Sequence, residues 1–420
     1  MKYFQSITLS GMKCMPGTMA RYIRLGVNVL VVASAALICC CCVTNIGASG
    51  QQQSATAGSK LEWICPSKDG TGFVYNESGS RFVAWGLNYD HYATGRLLED
   101  YWEQDWATVV EDFQEMKALG ANVVRISLQF ARFMKAPRNT DTAALEQLAR
   151  LVRLAESTGL YLDITGLGCY RKKDVPEWYN AMSEADRWDA QAVFWSAVAK
   201  VCGQSPAVFC YDLMNEPILP GTNRKETEWP VGEFAGMNYA QHLTLDLAGR
   251  TPEQVAKNWV EKLVAAIRVY DKRHMITVGE IPWAFYFPGA KPLFSKETGD
   301  GLDFVSVHFY PSKGEVAKAL AALAVYDFGK PLLVEEMFPL NCSIEELDAF
   351  IEGSRRIADG WLGFYWVETI DNYSRKEVDI ADRPIRQWLE FFRAKTPKIL
   401  EFNSPCTQPK APPDADKPRR

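Results

Sequence analysis

Glutamates stand at the ends of two apolar segments of the sequence. The segment "AVFCYDLM" predicts a buried strand, and Asn215, Glu216 and Pro217 follow it directly. A second segment, "PLLVEEMF", contains Glu335 and Glu336. Burying a lone carboxylate costs on the order of several kcal/mol unless it is hydrogen-bonded or protonated, so each glutamate either faces solvent or has a function. Two carboxylates that face each other can divide the chemistry, one as general acid and the other as nucleophile.

Other apolar segments also end in polar or aromatic side chains, namely Asn88, Arg125, Glu280, His308, Tyr310 and Trp366. These residues can serve one site only if the segments run parallel and bring their carboxyl ends together. Some of them also have a purely structural interpretation: Arg125 as an ion-pair partner and Trp366 as part of the core. We assign Glu335 no role, because neighbouring residues in a strand point to opposite faces.

The elements that would position these residues alternate between short β-rich segments and helical patterns, which is typical of parallel βα units. Eight segments predict strands: "FVAWGL", "ANVVRISL", "LYLDITG", "AVFCYDLM", "MITVGE", "LDFVSVHFY", "PLLVEEMF" and "LGFYWVE". Helices are expected at 105–119, 141–157, 186–202, 252–271, 315–325, 343–358 and 383–395, with none clear between strands five and six.

Eight such units without a Gly-rich phosphate loop favour an α/β fold of the (β/α)8 TIM-barrel type over a doubly wound sheet. A β-hairpin that turns at Ser78–Gly79 is expected to precede the barrel. In a barrel of this type the active site lies where the strands end. The segment between Glu216 and the next helix is long for a barrel loop, and a loop of that length normally lines or caps a cleft.

The two ends of the chain differ from this central region. Residues 1–48 hold Arg21 and Arg24 before an apolar stretch at 25–43, which predicts an export signal. The same stretch is also compatible with a membrane anchor, and Cys39 to Cys42 with a lipid attachment site. Residues 49–60 predict a flexible linker, 61–403 the catalytic barrel, and 404–420 a Pro-rich disordered tail. The expected location is extracellular, periplasmic or membrane-anchored.

Composition excludes some classes of partner. The chain has 420 residues, 47% hydrophobic and 23% charged, with a net charge of −5, so it has no sustained positive field to hold nucleic acid.

Its four histidines lie far apart in sequence, and no cluster has metal-ligand spacing, so we expect no metal and no cofactor. We expect a monomer. The six cysteines after the leader lack a framework pattern, which favours buried free thiols.

Five motifs together resemble glycoside hydrolase family 5, the cellulase-like retaining barrels. "LMNEP" is similar to the Asn-Glu-Pro of strand four, and Glu336 in "KPLLVEEMF" matches the nucleophile of strand seven. The resemblance extends from about residue 70 to 395 and includes the strand-two arginine in "NVVRIS", the His-x-Tyr in "VHFYP" and the strand-eight tryptophan in "GFYWVE". In "LDITG", Thr165 stands where the family commonly has a histidine, which leaves substrate preference open.

The resemblance implies a role for each matched residue. Glu216 would be the acid and base, and Glu336 the nucleophile, held ionised by Arg125 and Tyr310. The substrate would be a polysaccharide or oligosaccharide, bound by Asn215 at a sugar 2-hydroxyl, oriented through His308 and stacked on Trp366. Glu280 has no role in the family motif. Aromatic residues of the expected mouth loops that could also stack on sugars are Trp178, Trp229, Trp283, Phe285 and Tyr286.

These expectations favour an exported retaining glycosidase that cleaves a β-glucan, a mannan or a related glycan. The alternative from another class is a cell-surface barrel that binds glycans without hydrolysing them. An aldolase-like barrel is disfavoured, because no apolar segment ends in the lysine that a Schiff base needs. The sequence leaves open the sugar, the linkage and the choice between endo and exo action.

Overall fold

The computed structural model describes residues 61–89, 94–220, 225–282, 285, 293–364, 366–375 and 383–401. The predicted leader and linker at 1–60 and the predicted tail at 404–420 lie outside these residues. Within the described ranges, no helix is long and apolar enough to cross a membrane.

A parallel sheet forms the centre of the molecule. Its strands are β1 Ala84–Asn88, β2 Val123–Gln129, β3 Tyr161–Gly168, β4 Val208–Asp212, β5 Met275–Thr277 with Gly279–Glu280, β6 Val305–His308, β7 Leu332–Met337 and β8 Gly360–Gly363. The nine segments pair in the order β5-β4-β3-β2-β1-β8-β7-β6-β5, in which the first and last segments are the two parts of β5. The sheet therefore nearly closes on itself, and the predicted (β/α)8 barrel is confirmed.

The strands form where the sequence is continuously apolar because both faces of this sheet are covered. Every residue of β2, β3 and β7 is buried. Such strands lack the polar alternation of a half-exposed sheet, as expected for a parallel barrel whose outer face packs on helices.

The barrel helices surround the sheet. They are α1 Trp106–Ala118, α2 Thr142–Thr158, α3 Glu184–Cys202, α4 Pro252–Arg268, α5 Lys296–Gly299, α6 Val316–Leu323, α7 Ile344–Ser354 and α8 Arg383–Leu400. Helix α2 begins where Asp141 accepts the backbone N–H of Ala143 and ends at Gly159, whose φ of 73° fits the left-handed conformation that glycine adopts freely. Between β5 and β6, where no helix is predicted, α5 is a single turn.

A small antiparallel sheet seals one end of the barrel. Its strands are Ile64–Pro66, Phe73–Tyr75 and Arg81–Phe82. The fully buried Phe73 meets Phe209 and Phe304 edge-to-face, each at a centroid distance of 5.1 Å. The segment predicted as a hairpin thus belongs to a three-stranded sheet that packs near the amino ends of β4 and β6.

The long segment after β4 folds into a second small sheet. Its strands are Pro217–Ile218, Pro230–Phe234 and Met237–His242. The last two pair antiparallel, and we call them the mouth hairpin. The remaining short elements are strands Met134–Ala136 and Asn139–Thr140, helices Phe130–Phe133, Glu177–Asn180 and Ile370–Arg375, and 3-10 turns Leu98–Asp100, Lys172–Asp174 and Ala324–Tyr326.

The five cysteines among the described residues are free, namely Cys65, Cys169, Cys202, Cys210 and Cys342. Cys169, Cys202 and Cys210 are buried. Burial raises the pKa of the Cys202 thiol, and raises that of Cys169 to about 11, so these thiols stay protonated at neutral pH.

Candidate active site

Glu216 and Glu336 meet at the carboxyl ends of β4 and β7. One carboxylate oxygen of each, together with a ring nitrogen of His308, lies within 4.8 Å of the others. This separation fits the close carboxyl pair of double displacement, about 5–5.5 Å, and not the gap of about 6.5–9.5 Å that leaves room for a water molecule.

The backbone at Glu216 is unusual for a residue with a side chain. Its φ is 48°, in the left-handed region, and its N–H donates to the carbonyl oxygen of Gly279 over 2.8 Å. Strained backbone of this kind costs about 1–3 kcal/mol and persists where the surrounding structure holds it. The turn directs Glu216 toward β6 and β7 instead of continuing the strand.

Three side chains hold the carboxylate of Glu336. Nη1 of Arg125 donates to Oε1 over 2.6 Å, the Tyr310 hydroxyl donates to Oε2 over 2.5 Å, and Nδ1 of His308 lies 3.5 Å from Oε2. Burial raises the pKa of Glu336, while the positive charges of His308 and Arg125 lower it. Arg125 and Tyr310 thus favour the ionised form of Glu336, as expected. Burial has the larger effect, however, and the pKa of Glu336 is raised overall.

Arg125 lies at the centre of the polar cluster. Its side chain is 2% exposed, and its Nη2 donates to Asp212 over 2.9 Å and to Asn215 over 2.8 Å. Nη1 donates to Asn88 over 2.8 Å as well as to Glu336. Arg125 is therefore an ion-pair partner, as its structural interpretation predicted. It also donates to Glu336, the expected nucleophile.

Asn215 is held at both ends of its amide. Oδ1 accepts from Arg125, and Nδ2 donates to the carbonyl oxygen of Tyr239 in the mouth hairpin over 2.8 Å. Counting only partners in the described ranges, the amide keeps one N–H and one lone pair for a ligand. Its contact with a sugar 2-hydroxyl stays a prediction.

Glu335 belongs to this cluster, which corrects the assignment of no role. Its Oε2 lies 3.2 Å from Nε2 of His308 and 3.6 Å from Nη2 of Arg125, and the residue is fully buried. The pairing of β7 with β8 shifts register between Val334 and Met337, so the simple alternation of side chains fails here. Burial works against ionisation, but Arg125 and His308 lower the pKa of Glu335 to about 2.

His308 connects the two sides of the site. Its Nδ1 lies 3.0 Å from Oε1 of Glu216, opposite the contact of Nε2 with Glu335. Burial lowers the pKa of this imidazole, but the charge of Glu336 and the hydrogen bonds to Glu216 and Glu335 raise it to about 10. At neutral pH the ring is therefore protonated on both nitrogens, and it donates to Oε1 of Glu216 on one side and to Oε2 of Glu335 on the other.

Asp212 and Thr165 support Arg125 from inside the barrel. The Thr165 hydroxyl donates to Oδ2 of Asp212 over 2.8 Å, and Oδ1 of Asp212 accepts the N–H of Gly279 over 2.8 Å. Gly279 must be glycine, because a Cβ there would lie 2.3 Å from Oε2 of Glu335. The sequence analysis did not single out Asp212, although the residue lies in the predicted fourth strand and contacts Arg125.

Trp366 lies next to β1. Its backbone N–H donates to the carbonyl oxygen of Asn88 over 2.8 Å, and the residue is 1% exposed. Within the described part of the chain, its indole N–H has no hydrogen-bond partner. The structure therefore places Trp366 in packed surroundings at the mouth, and its stacking on a sugar stays a prediction.

Glu280 stabilises a loop. Its carboxylate accepts the backbone N–H groups of Leu293 and Phe294 over 2.6 and 3.3 Å. Burial raises its pKa to about 8. Glu280 therefore has a structural role in fixing the chain after β5.

The described aromatic candidates pack within the protein. Trp229 covers the guanidinium of Arg187 at 4.1 Å, Trp178 lies 5.9 Å from the Phe130 ring, and Phe285 lies 5.5 Å from the Phe309 ring. Trp283 and Tyr286 lie outside the described residues.

The site as a whole has the parts that glycosidic cleavage requires. A (β/α)8 barrel that brings two close carboxylates, an arginine and a tyrosine to one mouth defines a class of enzymes that cleave glycosidic bonds. The chain belongs to this class by family as well: the cellulase model of glycosyl hydrolase family 5 matches residues 75–336. The homologues of the chain support a glycoside hydrolase.

Two relatives are fungal enzymes. The mannan endo-1,4-beta-mannosidase A of Emericella nidulans is 25% identical over 316 residues, which cover 69% of this chain and 68% of the relative. The mannan endo-1,4-beta-mannosidase A of Podospora anserina is 26% identical over 228 residues, which cover 47% of this chain and 52% of the relative. The chain thus spans about two thirds of the first relative and about half of the second.

Solved structures share the fold at low sequence identity. An exo-beta-1,4-mannosidase from Opitutaceae bacterium strain TAV5 has a TM-score of 0.59 and 19% identity, over 80% of this chain and 63% of that chain. A beta-1,4-mannanase from the sea hare Aplysia kurodai has a TM-score of 0.54 and 12% identity, over 79% of this chain and 96% of that chain. At these identities the likeness shows the fold alone.

Proposed function

We propose that this protein is an exported retaining hydrolase that cleaves β-1,4-linked mannan by double displacement. The observation that carries the mechanism is the close approach of Glu216 and Glu336, with Arg125 and Tyr310 bonded to Glu336. Mannan as the glycan is supported by the two fungal relatives, both of which are named mannan endo-1,4-beta-mannosidase A.

The first displacement forms a glycosyl ester. An oxygen of Glu336 attacks the anomeric carbon, and the bond from that carbon to the leaving oxygen breaks. The proton of Glu216 goes to the leaving oxygen, which departs as an alcohol. The hydrogen bonds from the Tyr310 hydroxyl and from Nη1 of Arg125 to Glu336 weaken in this step, because the carboxylate loses its negative charge when the ester forms.

The second displacement releases the sugar. Glu216, now a carboxylate, takes a proton from water, and the water oxygen attacks the anomeric carbon from the face that the leaving group occupied. The ester bond breaks and Glu336 regains its charge beside Arg125. Two inversions at one carbon give net retention.

The non-hydrolytic glycan-binding barrel has less support. A barrel that only binds sugars has no need to hold the carboxyl groups of Glu216 and Glu336 beside a protonated histidine, at the cost of desolvating Glu336. No contact in the described site favours that alternative.

A substrate panel with product stereochemistry tests the proposal. We expect turnover of β-1,4-mannan well above that of cellulose, xylan or β-1,3-glucan, measured as released reducing ends. Proton NMR of the first product should show the β-anomer before mutarotation. The α-anomer as first product contradicts double displacement, whereas cleavage of cellulose without mannan contradicts only the assigned glycan.

Export is supported by the basic and apolar leader at 1–48. Because such a segment is removed or lipid-modified during export, the mature protein from its native host should begin beyond about residue 38 or carry a lipid on one of Cys39 to Cys42. N-terminal mass spectrometry measures this. A cytoplasmic protein that retains Met1 contradicts export while leaving the proposed chemistry untouched.

A further inference from the structure

The mouth hairpin reaches from β4 across the neighbouring strands. The N–H of Asn238 donates to the carbonyl oxygen of Tyr170, after β3, over 2.7 Å. The Gln241 amide donates to the carbonyl oxygen of Leu167, at the end of β3, over 2.6 Å. Met237 packs with Tyr170 and with Leu97, which belongs to the loop after β1. The hairpin is therefore anchored to the loops of two other barrel strands.

A row of aromatic rings continues from this hairpin over the mouth. The Tyr239 ring lies 4.8 Å from that of Tyr170 and 6.4 Å from that of Phe364, which follows β8. The Phe364 ring lies 6.4 Å from that of Tyr310, which donates to Glu336. Edge-to-face rings at such centroid distances are in contact. The Tyr239 and Phe364 contact therefore joins opposite sides of the barrel close to the nucleophile.

The position of this contact identifies the side of the cleft that it closes. The carbonyl oxygen of Tyr239 accepts from Asn215, and the other end of that amide is bonded to Arg125 beside Glu336. Under the roles proposed for Glu216 and Glu336, these residues belong to the glycone side of the anomeric carbon. Glu216, which faces the leaving group, is the more exposed carboxylate, at 21% against 8% for the Glu336 side chain.

We propose that the Tyr239 and Phe364 contact is an end wall that leaves room for a single sugar on the glycone side. A chain of sugars cannot continue past the reacting unit through two rings in contact, so the protein removes one sugar at a time from non-reducing ends. This inference rests on the proposed function, because it assigns the glycone side from the roles of Glu216 and Glu336.

Mannohexaose and cellohexaose with a fluorescent label at the reducing end test the wall. We expect the first labelled product of the cleaved hexaose to be the pentamer, followed by the tetramer and trimer in order of time, as resolved by capillary electrophoresis. On mannan, viscosity should fall slowly relative to the release of reducing sugar.

Tyr239→Ala and Phe234→Ala form a matched pair on the hairpin. Tyr239→Ala keeps the carbonyl that Asn215 needs but removes the wall, so we expect about a tenfold rise in the share of first cuts that release two or more sugars. Phe234, 37% exposed at the hairpin tip, should leave the product pattern unchanged when replaced.

Each outcome of the labelled-hexaose test bears on a different claim. Early labelled dimer, trimer and tetramer from the wild type overturn the end wall and leave the proposed hydrolase intact. Ordered shortening of cellohexaose alone supports the wall and overturns mannan as the glycan. Cleavage of neither hexaose overturns both. A folded Tyr239→Ala variant with the wild-type pattern overturns the assignment of the wall to this residue.

Discussion

Replacing the expected nucleophile should abolish turnover while leaving the fold in place. In Glu336→Gln, the amide cannot form the glycosyl ester, so kcat should fall by at least about four orders of magnitude. The loss should be similar for mannan and for an activated aryl β-mannoside, because both substrates require the ester. Initial rates with both substrates measure the effect, and circular dichroism with thermal unfolding checks the fold.

The adjacent residue provides a matched control. Glu335→Gln makes the same chemical change one position earlier in β7. The Glu335 side chain contacts His308 and Arg125, and we assign it no contact with the substrate. It acts by positioning these two residues, so we expect a loss of about ten- to a hundredfold. Equal losses for the two variants, or near wild-type activity of Glu336→Gln, would falsify the nucleophile assignment.

Replacing the expected acid and base should give a loss that depends on the leaving group. In Glu216→Ala, mannan hydrolysis should fall by about 10²–10⁴, because no group protonates the departing oxygen. An aryl mannoside with a good leaving group needs no such proton, so its ester should still form and then accumulate. Burst kinetics and the ratio of kcat between the two substrates measure this difference.

Added azide separates the two steps of the Glu216→Ala variant. Azide attacks the glycosyl ester without a base, so it should raise the rate with the aryl mannoside and yield a β-mannosyl azide. The wild type should not respond, because Glu216 already activates water. An α-mannosyl azide from this variant indicates that Glu216 is the nucleophile, which contradicts the assigned roles.

The sequence by itself determined the barrel and the strand ends at its mouth. Continuous apolar strands that alternate with helices require a parallel sheet covered on both faces, and eight such units close into a barrel. The positions of Glu216 and Glu336 follow from local sequence, because each stands at the end of one predicted strand. The predicted helix at 105–119 agrees with α1 within one residue at each end, since its apolar spacing depends only on its own residues.

Only the tertiary structure decided how the site is supported and how its mouth is closed. Glu335 reaches His308 because β7 changes register, a property of its pairing with neighbouring strands and not of its own sequence. Asp212 supports Arg125 across the barrel interior, between residues that are far apart in the chain. The contact of Tyr239 with Phe364 likewise joins a loop after β4 to the end of β8. Such contacts depend on barrel closure, which brings distant segments together, so no local pattern could reveal them.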